Sequence, residues 1–160
     1  MDVVERIIAG HRLVDEKKDI LKKLVKMLDN DAFFWDNAVK IEYFFKIEVR
    51  EHFVMEEKVL FPVMKKVLKA QEREVLKEIE LEHGPIILKL TEFQAISGSH
   101  LRYASKATRE PMVKAACELI EMIMAHAKKE DKHLFPLIRE RFDPENYTQL
   151  EDLYFKFLKV

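Results

Sequence analysis

At 160 residues, 48% hydrophobic and 36% charged, the chain is predicted to be one soluble globular domain over 1–160. Its formal net charge of -1 gives no footprint for nucleic acid, and no apolar run approaches the roughly 18 residues of a membrane span, so neither partner is expected. The single cysteine, Cys117, excludes an internal disulfide and suits a reducing compartment. The N-terminus, with Asp2 and Glu5, is not typical of a signal peptide, so a cytoplasmic protein is expected.

The first half of the chain predicts two long helices, because three glycines and five prolines leave few turn signals. Apolar residues spaced three and four apart predict helix one over about 3–28. An aromatic link at 33–35 then leads to Asp36, which is predicted to cap helix two over about 37–69. Pro62 lies inside this second helix and is expected to kink or break it.

The second half predicts two more long helices and a short one. Helix three is expected over 72–96 with a bend at Gly84-Pro85, followed by a polar connection that includes an exposed His100. Helix four is expected over 111–139, with Pro111 as its first residue.

The C-terminal residues predict an amphipathic helix over about 144–158. It is expected to dock on the remainder, with a homodimer contact as the alternative. Without a strand signal, the fold class is all-α, an up-down-up-down four-helix bundle over about 3–140 with a short C-terminal helix.

Two eleven-residue stretches share one frame. HFVMEEKVLFP at 52–62 and HAKKEDKHLFP at 126–136 both begin with His, have Glu four residues later, and end in Leu-Phe-Pro. Residues four apart lie on one helix face and can bind a single centre. In an up-down-up-down bundle helices two and four run parallel, so both pairs can enter the interior at the same level.

The first and third helices each add one histidine on an apolar stripe. With 29 acids in 160 residues, roughly one His in five has an acid at i+4 by chance, and a lone interior His is more often a hydrogen-bonded core residue. Two copies of the frame and a histidine on each remaining helix favour a metal site instead. The predicted ligands are His11, His52, Glu56, His83, His126 and Glu130.

Four imidazoles and two carboxylates suit iron, manganese or zinc, and two bridging glutamates suit a dinuclear centre. One choice stays open on helix four. Glu130 matches Glu56 in the shared frame, whereas Asp131 matches Glu57, so Glu130 is favoured and Asp131 is the less favoured ligand. Glu57 is expected to be solvated or to contact a ligand.

These motifs, with GHR at 10–12 and EHGPI at 82–86, resemble the hemerythrin-like (HHE cation-binding) family over about 5–140. The resemblance implies a four-helix bundle with a non-haem centre of two iron ions and a bridging oxygen species, held by the six residues named above. The oxygen-carrying members have a further histidine where Ile87 stands here, and their fourth-helix pattern would use Asp131.

With four histidines and two bridging glutamates each ion would have about four protein ligands, which leaves open positions on both ions and favours binding, sensing or reduction of O2, peroxide or NO over simple oxygen carriage. The sequence leaves enzymatic turnover undecided. The alternatives are an iron-storage, iron-delivery or iron-sensing module, and a metal-free helical interaction protein. Cys117 is expected to be a packing thiol.

Overall fold

The computed structural model describes residues 1–97 and 106–159, and no strand occurs within these ranges. Four long helical segments and a C-terminal helix account for almost all of them. The helices are α1 (Val3–Lys26), α2 (Asp31–Tyr43), α3 (Val49–Met55), α4 (Phe61–Val67), α5 (Ala70–Leu81), α6 (His83–Ser97), α7 (Lys106–His133), α8 (Phe135–Arg141) and α9 (Pro144–Leu158). The first long segment is α1, the second comprises α2–α4, the third α5–α6 and the fourth α7–α8.

The second segment begins earlier than the sequence predicted, so the expected N-cap at Asp36 is wrong. Asn30 is the N-cap, and its side chain accepts a hydrogen bond from the backbone N–H of Phe33 at 3.0 Å. Asparagine caps a helix as well as aspartate does, and the aromatic residues at 33–35 then pack from within the first turns of α2. The expected aromatic link is therefore helical.

Two π turns, Phe44–Glu48 and Glu56–Leu60, join the three helices of the second segment. Pro62 does not break it, since it lies at the start of α4 directly after the second π turn. There the backbone N–H of Phe61 bonds to the carbonyl of Glu56, five residues back. The wider turn is the local irregularity at this proline, and π turns are frequent at functional sites.

The remaining boundaries differ from the sequence prediction in smaller ways. The third segment is interrupted at Glu82, just before Gly84-Pro85. The fourth already includes Lys106, so Pro111 lies inside α7 rather than at its first position. His100, expected to be exposed, lies outside the described residues.

The apolar core has two halves, and each long segment contributes to both. Cluster A comprises buried residues between positions 14 and 28, 34 and 53, 86 and 93, and 112 and 123. Cluster B comprises those between positions 3 and 7, 59 and 68, 76 and 79, and 134 and 138, together with Leu150 of α9. Along each segment, five of the six predicted metal ligands lie between the residues of cluster A and those of cluster B, and His52 lies next to Phe53 of cluster A.

The C-terminal helix docks as expected, on the side of cluster B. Leu150 is buried there, and α9 contacts α1, α4 and the second π turn. Phe155 and Leu158 remain exposed on its outer face. None of the helices within the described ranges has the length and apolar character needed to cross a bilayer.

The buried side chain of Arg109, on α7, contacts the turn between α1 and α2. Arg109 is 3% exposed, donates to the Leu28 carbonyl at 2.7 Å and to Asp31 at 2.8 Å, and lies over the Phe34 ring at 4.6 Å. These contacts compensate the cost of removing its charge from water.

Arg109→Ala is expected to lower the free energy of unfolding by about 2–4 kcal/mol, because the carbonyl and ring contacts are lost inside the core. Asp31→Ala is the control: its carboxylate is largely exposed, so a loss of about 1 kcal/mol or less is expected. Urea unfolding of both variants in a chelator measures the difference. Equal losses would show that the surface ion pair accounts for the effect.

Candidate metal centre

Six side chains from the four long segments converge in the layer between clusters A and B. Glu56 and Glu130 are fully buried, and His83 and His126 are each 2% exposed. His11 and His52 are half-buried on the side where α1 faces the second segment. These are the six residues that the sequence singled out as ligands.

The converging atoms form two overlapping groups. The possible ligand atoms of His11, His52, Glu56 and Glu130 lie within 4.8 Å of one another, and so do those of Glu56, His83 and His126. Glu56 belongs to both groups, with Oε1 at 3.3 Å from His83 Nε2 and 3.6 Å from His52 Nε2.

Glu130 also lies between the two groups. Its Oε1 is 3.0 Å from His126 Nε2 and 3.6 Å from His11 Nε2. Glu56 and Glu130 therefore occupy matching positions, each reaching the histidine four residues before it on its own segment and a second histidine on another. Two metal ions separated by two shared carboxylates would fit this arrangement.

Three of the four histidines have a carboxylate on their outer nitrogen. His11 Nδ1 is 2.9 Å from Asp131, His83 Nδ1 is 2.8 Å from Glu57, and His126 Nδ1 is 3.0 Å from Glu82. An Nδ1–H that donates to a carboxylate leaves Nε2 as an acceptor. Such contacts orient the histidine ligands of metal ions and make the ring more basic.

In that neutral tautomer the inner Nε2 atoms are acceptors that face carboxylate oxygens, which are acceptors as well. His83 Nε2 and His126 Nε2 are only 3.1 Å apart, so one of them must carry a proton unless a cation lies beside them. All four carboxylate oxygens of Glu56 and Glu130, and His11 Nε2, are buried without a hydrogen-bond partner of good geometry among the described residues. Buried acceptors without donors are costly, and a metal cation satisfies them.

The pKa directions reflect this competition between burial and charge. Burial acts to raise the pKa of Glu56, but the neighbouring His52, His83 and His126 outweigh it and lower that pKa. Burial acts to lower the pKa of His83, yet Glu56 and Glu57 raise it overall. Burial prevails at His52 and His126, whose pKa values are lowered.

His52 is held by backbone rather than by an acid. No carboxylate contacts its Nδ1 among residues 1–97 and 106–159, and the α-carbon of Gly10 lies against its ring instead. A Cβ built on Gly10 would be 2.6 Å from His52 Nδ1 and 3.0 Å from Cε1. Glycine at this point in α1 lets the two segments approach closely enough for His52 to reach Glu56.

Aromatic rings fix the opposite side. Phe53 stacks on the His83 ring with centroids 4.0 Å apart and planes 11° apart, and Phe61 packs near the same ring at 5.9 Å. Phe53 also meets His126 edge-on at 5.6 Å. The His83–His126 side is thus enclosed by apolar rings, whereas the His11–His52 side is more open.

The other residues considered from the sequence lie outside the converging group. Asp131 is on the surface side of His11, so the structure places Glu130 and not Asp131 among the inward acids. Glu57 contacts a histidine, which is one of the two roles expected for it. Half-buried Cys117, expected to be a packing thiol, packs on cluster A, where burial raises the pKa of its thiol.

Two contributors, Glu82 and Gly10, were not identified from the sequence. Glu82 contacts His126 and also pairs with Lys129 on the next turn of α7. Its place as the first residue of the EHGPI motif, directly before His83, was a sequence signal for a role at the site. Gly10, next to His11 in a helix with no other glycine, offered a similar signal because glycine is unfavourable inside helices.

The helical fold of the described residues, with histidines and glutamates clustered in its core, is typical of a cation-binding helical bundle. Comparison with protein-family models matches residues 2–138 to the hemerythrin HHE cation binding domain. The chain belongs to this family. Comparisons with curated proteins and with solved structures gave no match.

Gly10→Ala is expected to displace the His52 ring and reduce the metal bound per chain, even though alanine favours helix over glycine by about 1 kcal/mol. Gly84→Ala is the matched control, because a Cβ there meets nothing within 4 Å. Metal analysis after identical expression and purification compares the two. Full metal content in Gly10→Ala would contradict the role assigned to this close approach.

Proposed function

We propose that the protein is a non-haem di-iron protein that binds, senses or reduces a small oxidant: O2, peroxide or NO. The observation that carries this is the pair of overlapping donor groups that share Glu56 and are joined by Glu130. The nitrogen and oxygen donors suit iron, although manganese and zinc accept the same set. When bound, two iron ions would supply reversible one-electron chemistry next to the ligand.

In this proposal each ion has its own pair of histidines. His11 and His52 would hold one ion, His83 and His126 the other, and Glu56 and Glu130 would bridge them. The first position would then have four protein donors, and the second would have three, with Glu130 Oε1 at 3.0 Å from His126 Nε2 as a fourth. Iron accepts more than four, so positions remain for an exogenous ligand.

The protein side of the chemistry is orientation and exclusion of water. Asp131, Glu57 and Glu82 would keep three Nε2 atoms pointed inward, and the rings of Phe53 and Phe61 would keep water from the His83 side. We therefore assign exchange of small ligands to the His11–His52 side.

We also propose that the four segments run alternately up and down. Along the chain, segment one passes from cluster B to cluster A, segment two from A to B, segment three from B to A, and segment four from A to B. Three segments cross between the clusters at their histidine and the second crosses just after His52, at Glu56, which supports a single shared level for the six donors.

The alternatives are weaker on specific grounds. Storage would need room for many ions, whereas the donors of the described residues form only two small groups that share Glu56. A metal-free interaction protein would have to bury the carboxylates of Glu56 and Glu130 without hydrogen-bond partners, which costs several kcal/mol for each charged carboxylate. We place the protein in a reducing, cytoplasmic setting on the support of its single cysteine, with a homodimer through the exposed face of α9 as a further possibility.

Glu130→Ala is expected to reduce bound iron from about two ions per chain to one or none, because it removes a carboxylate from both ion positions. Asp131→Ala is the matched neighbour. It removes only the contact to His11 Nδ1, so both ions should remain, with affinity for the His11-side ion lowered about 10-fold. Metal analysis and chelator competition report both quantities. Loss of iron in Asp131→Ala alone would reverse the ligand assignment.

The reduced, iron-loaded protein is expected to change its visible absorption on addition of O2, peroxide or NO. Apolar rings enclose the other side, so the His11–His52 ion is the one that responds. Spectra recorded before and after each addition, with the Glu130→Ala variant as the comparison, measure this. An unchanged spectrum with all three oxidants in a protein that holds two irons would favour the storage or delivery alternative.

A further inference from the structure

A cavity of about 210 Å³ lies beside the His11–His52 side of the candidate centre. Its inner end is formed by His11, His52, His126 and Glu130, while Glu56 and His83 are not among its lining residues. Because these four are donors of the candidate centre, the inner part of the cavity includes the space of the ion that His11 and His52 would hold, and the remainder extends away from it on one side. It runs between α1, the second segment and α7.

The cavity is much larger than the proposed oxidants require. One water-sized molecule needs about 10–15 Å³ of cavity volume measured in this way, and O2, NO and hydrogen peroxide are of comparable size, so the cavity exceeds the space of one of them even with an ion at its inner end. An apolar protein cavity of about 150 Å³ is already large enough for benzene. The volume here suits a molecule of about six to nine non-hydrogen atoms.

The walls define the chemistry of such a molecule. Most of the lining between the inner end and the surface is aliphatic or aromatic: Leu13, Val14, Phe44, Val49, Ile123 and Ala127. Val14, Phe44, Val49 and Ile123 are buried members of cluster A, so these walls are part of a packed core and not loose surface. The first π turn, which includes Phe44, forms part of this wall.

The charged lining residues outside the donor group disfavour an anion. Glu48, Glu51 and Arg6 line the cavity, and the Arg6 guanidinium lies over the Tyr154 ring of α9 at 5.3 Å. Two carboxylates against one arginine leave this part of the lining negative on balance. A neutral molecule enters such an opening at lower cost than a carboxylate or a phosphate.

We propose that this cavity binds a small neutral organic molecule, with its apolar body against Val14, Val49 and Ile123 and one polar end toward His11, His52 and Glu130. This proposal rests on the proposed function and extends it, because the same site would then bind an organic molecule as well as a small oxidant. An apolar body with a terminal oxygen, as in an alcohol or an alkyl hydroperoxide, has the required shape. The role assigned to the cavity is binding, without a reaction step.

The test uses benzyl alcohol, which has eight non-hydrogen atoms and one polar end, and glycerol, which has six but no apolar body. Calorimetric titration of the metal-loaded protein is expected to give one benzyl alcohol site per chain with a Kd of about 1 mM or below and a negative heat-capacity change. Glycerol should give no saturable binding. Equal behaviour of the two probes would overturn the proposal.

Ala127→Leu tests the location by adding three carbons to the cavity wall, and it should weaken benzyl alcohol binding at least 10-fold. Ala107→Leu is the matched control on an exposed turn of the same helix and should change Kd less than 2-fold. If Ala127→Leu fails to fold, Leu13→Phe fills the cavity from a half-buried position and should weaken binding as well. Unchanged binding in the folded filling variant would overturn the proposal.

Metal content measured on the same samples separates this inference from the proposed function. A protein that holds two irons but distinguishes neither probe contradicts the organic ligand alone. A protein that binds benzyl alcohol in the cavity but no iron contradicts the proposed function, while the cavity assignment stands.

Discussion

Two carboxylates, Glu56 and Glu130, lie at zero exposure between the halves of an apolar core, and the remaining architecture follows from the need to compensate them. Their oxygens face imidazole nitrogens that are themselves acceptors. In a layer with many acceptors and few donors, protons or cations must supply the missing positive charge. Metal binding and stability are therefore coupled in this family member, since a bound cation favours only the folded arrangement.

Three acids contact the outer nitrogens of three histidines and so orient their inner nitrogens into the layer. Asp131, Glu57 and Glu82 approach their histidines from outside, each from a segment other than the one that carries its histidine. The histidines are thus oriented by tertiary contacts, and any shift of one segment moves two of them together. His52 differs, because the contact with Gly10 fixes its ring by shape alone.

Much of this was predictable from the sequence, and the exceptions have physical reasons. The helical periodicity of the sequence predicted that these six residues face a common interior, because each lies on the apolar face of its helix. The start of α2 was misplaced because Asn30 and Asp36 both suit an N-cap and only packing selects between them. The role of Glu82 depends on a break between α5 and α6 and on a distant pair with Lys129, which no local pattern reports.

The two π turns have a consequence for how this chain tolerates change. Each holds about one residue more than the α-helical turn it replaces, so together they set the rotational phase of Val49–Met55 apart from the helices on either side. Loss of a single residue within Phe44–Glu48 would convert this π turn to an ordinary α-helical turn, and the helices on either side would keep nearly their present rotational phase, because the π turn already absorbs the extra residue. The first π turn is therefore a place where the chain can lose one residue at the cavity wall without turning His52 away from Glu56.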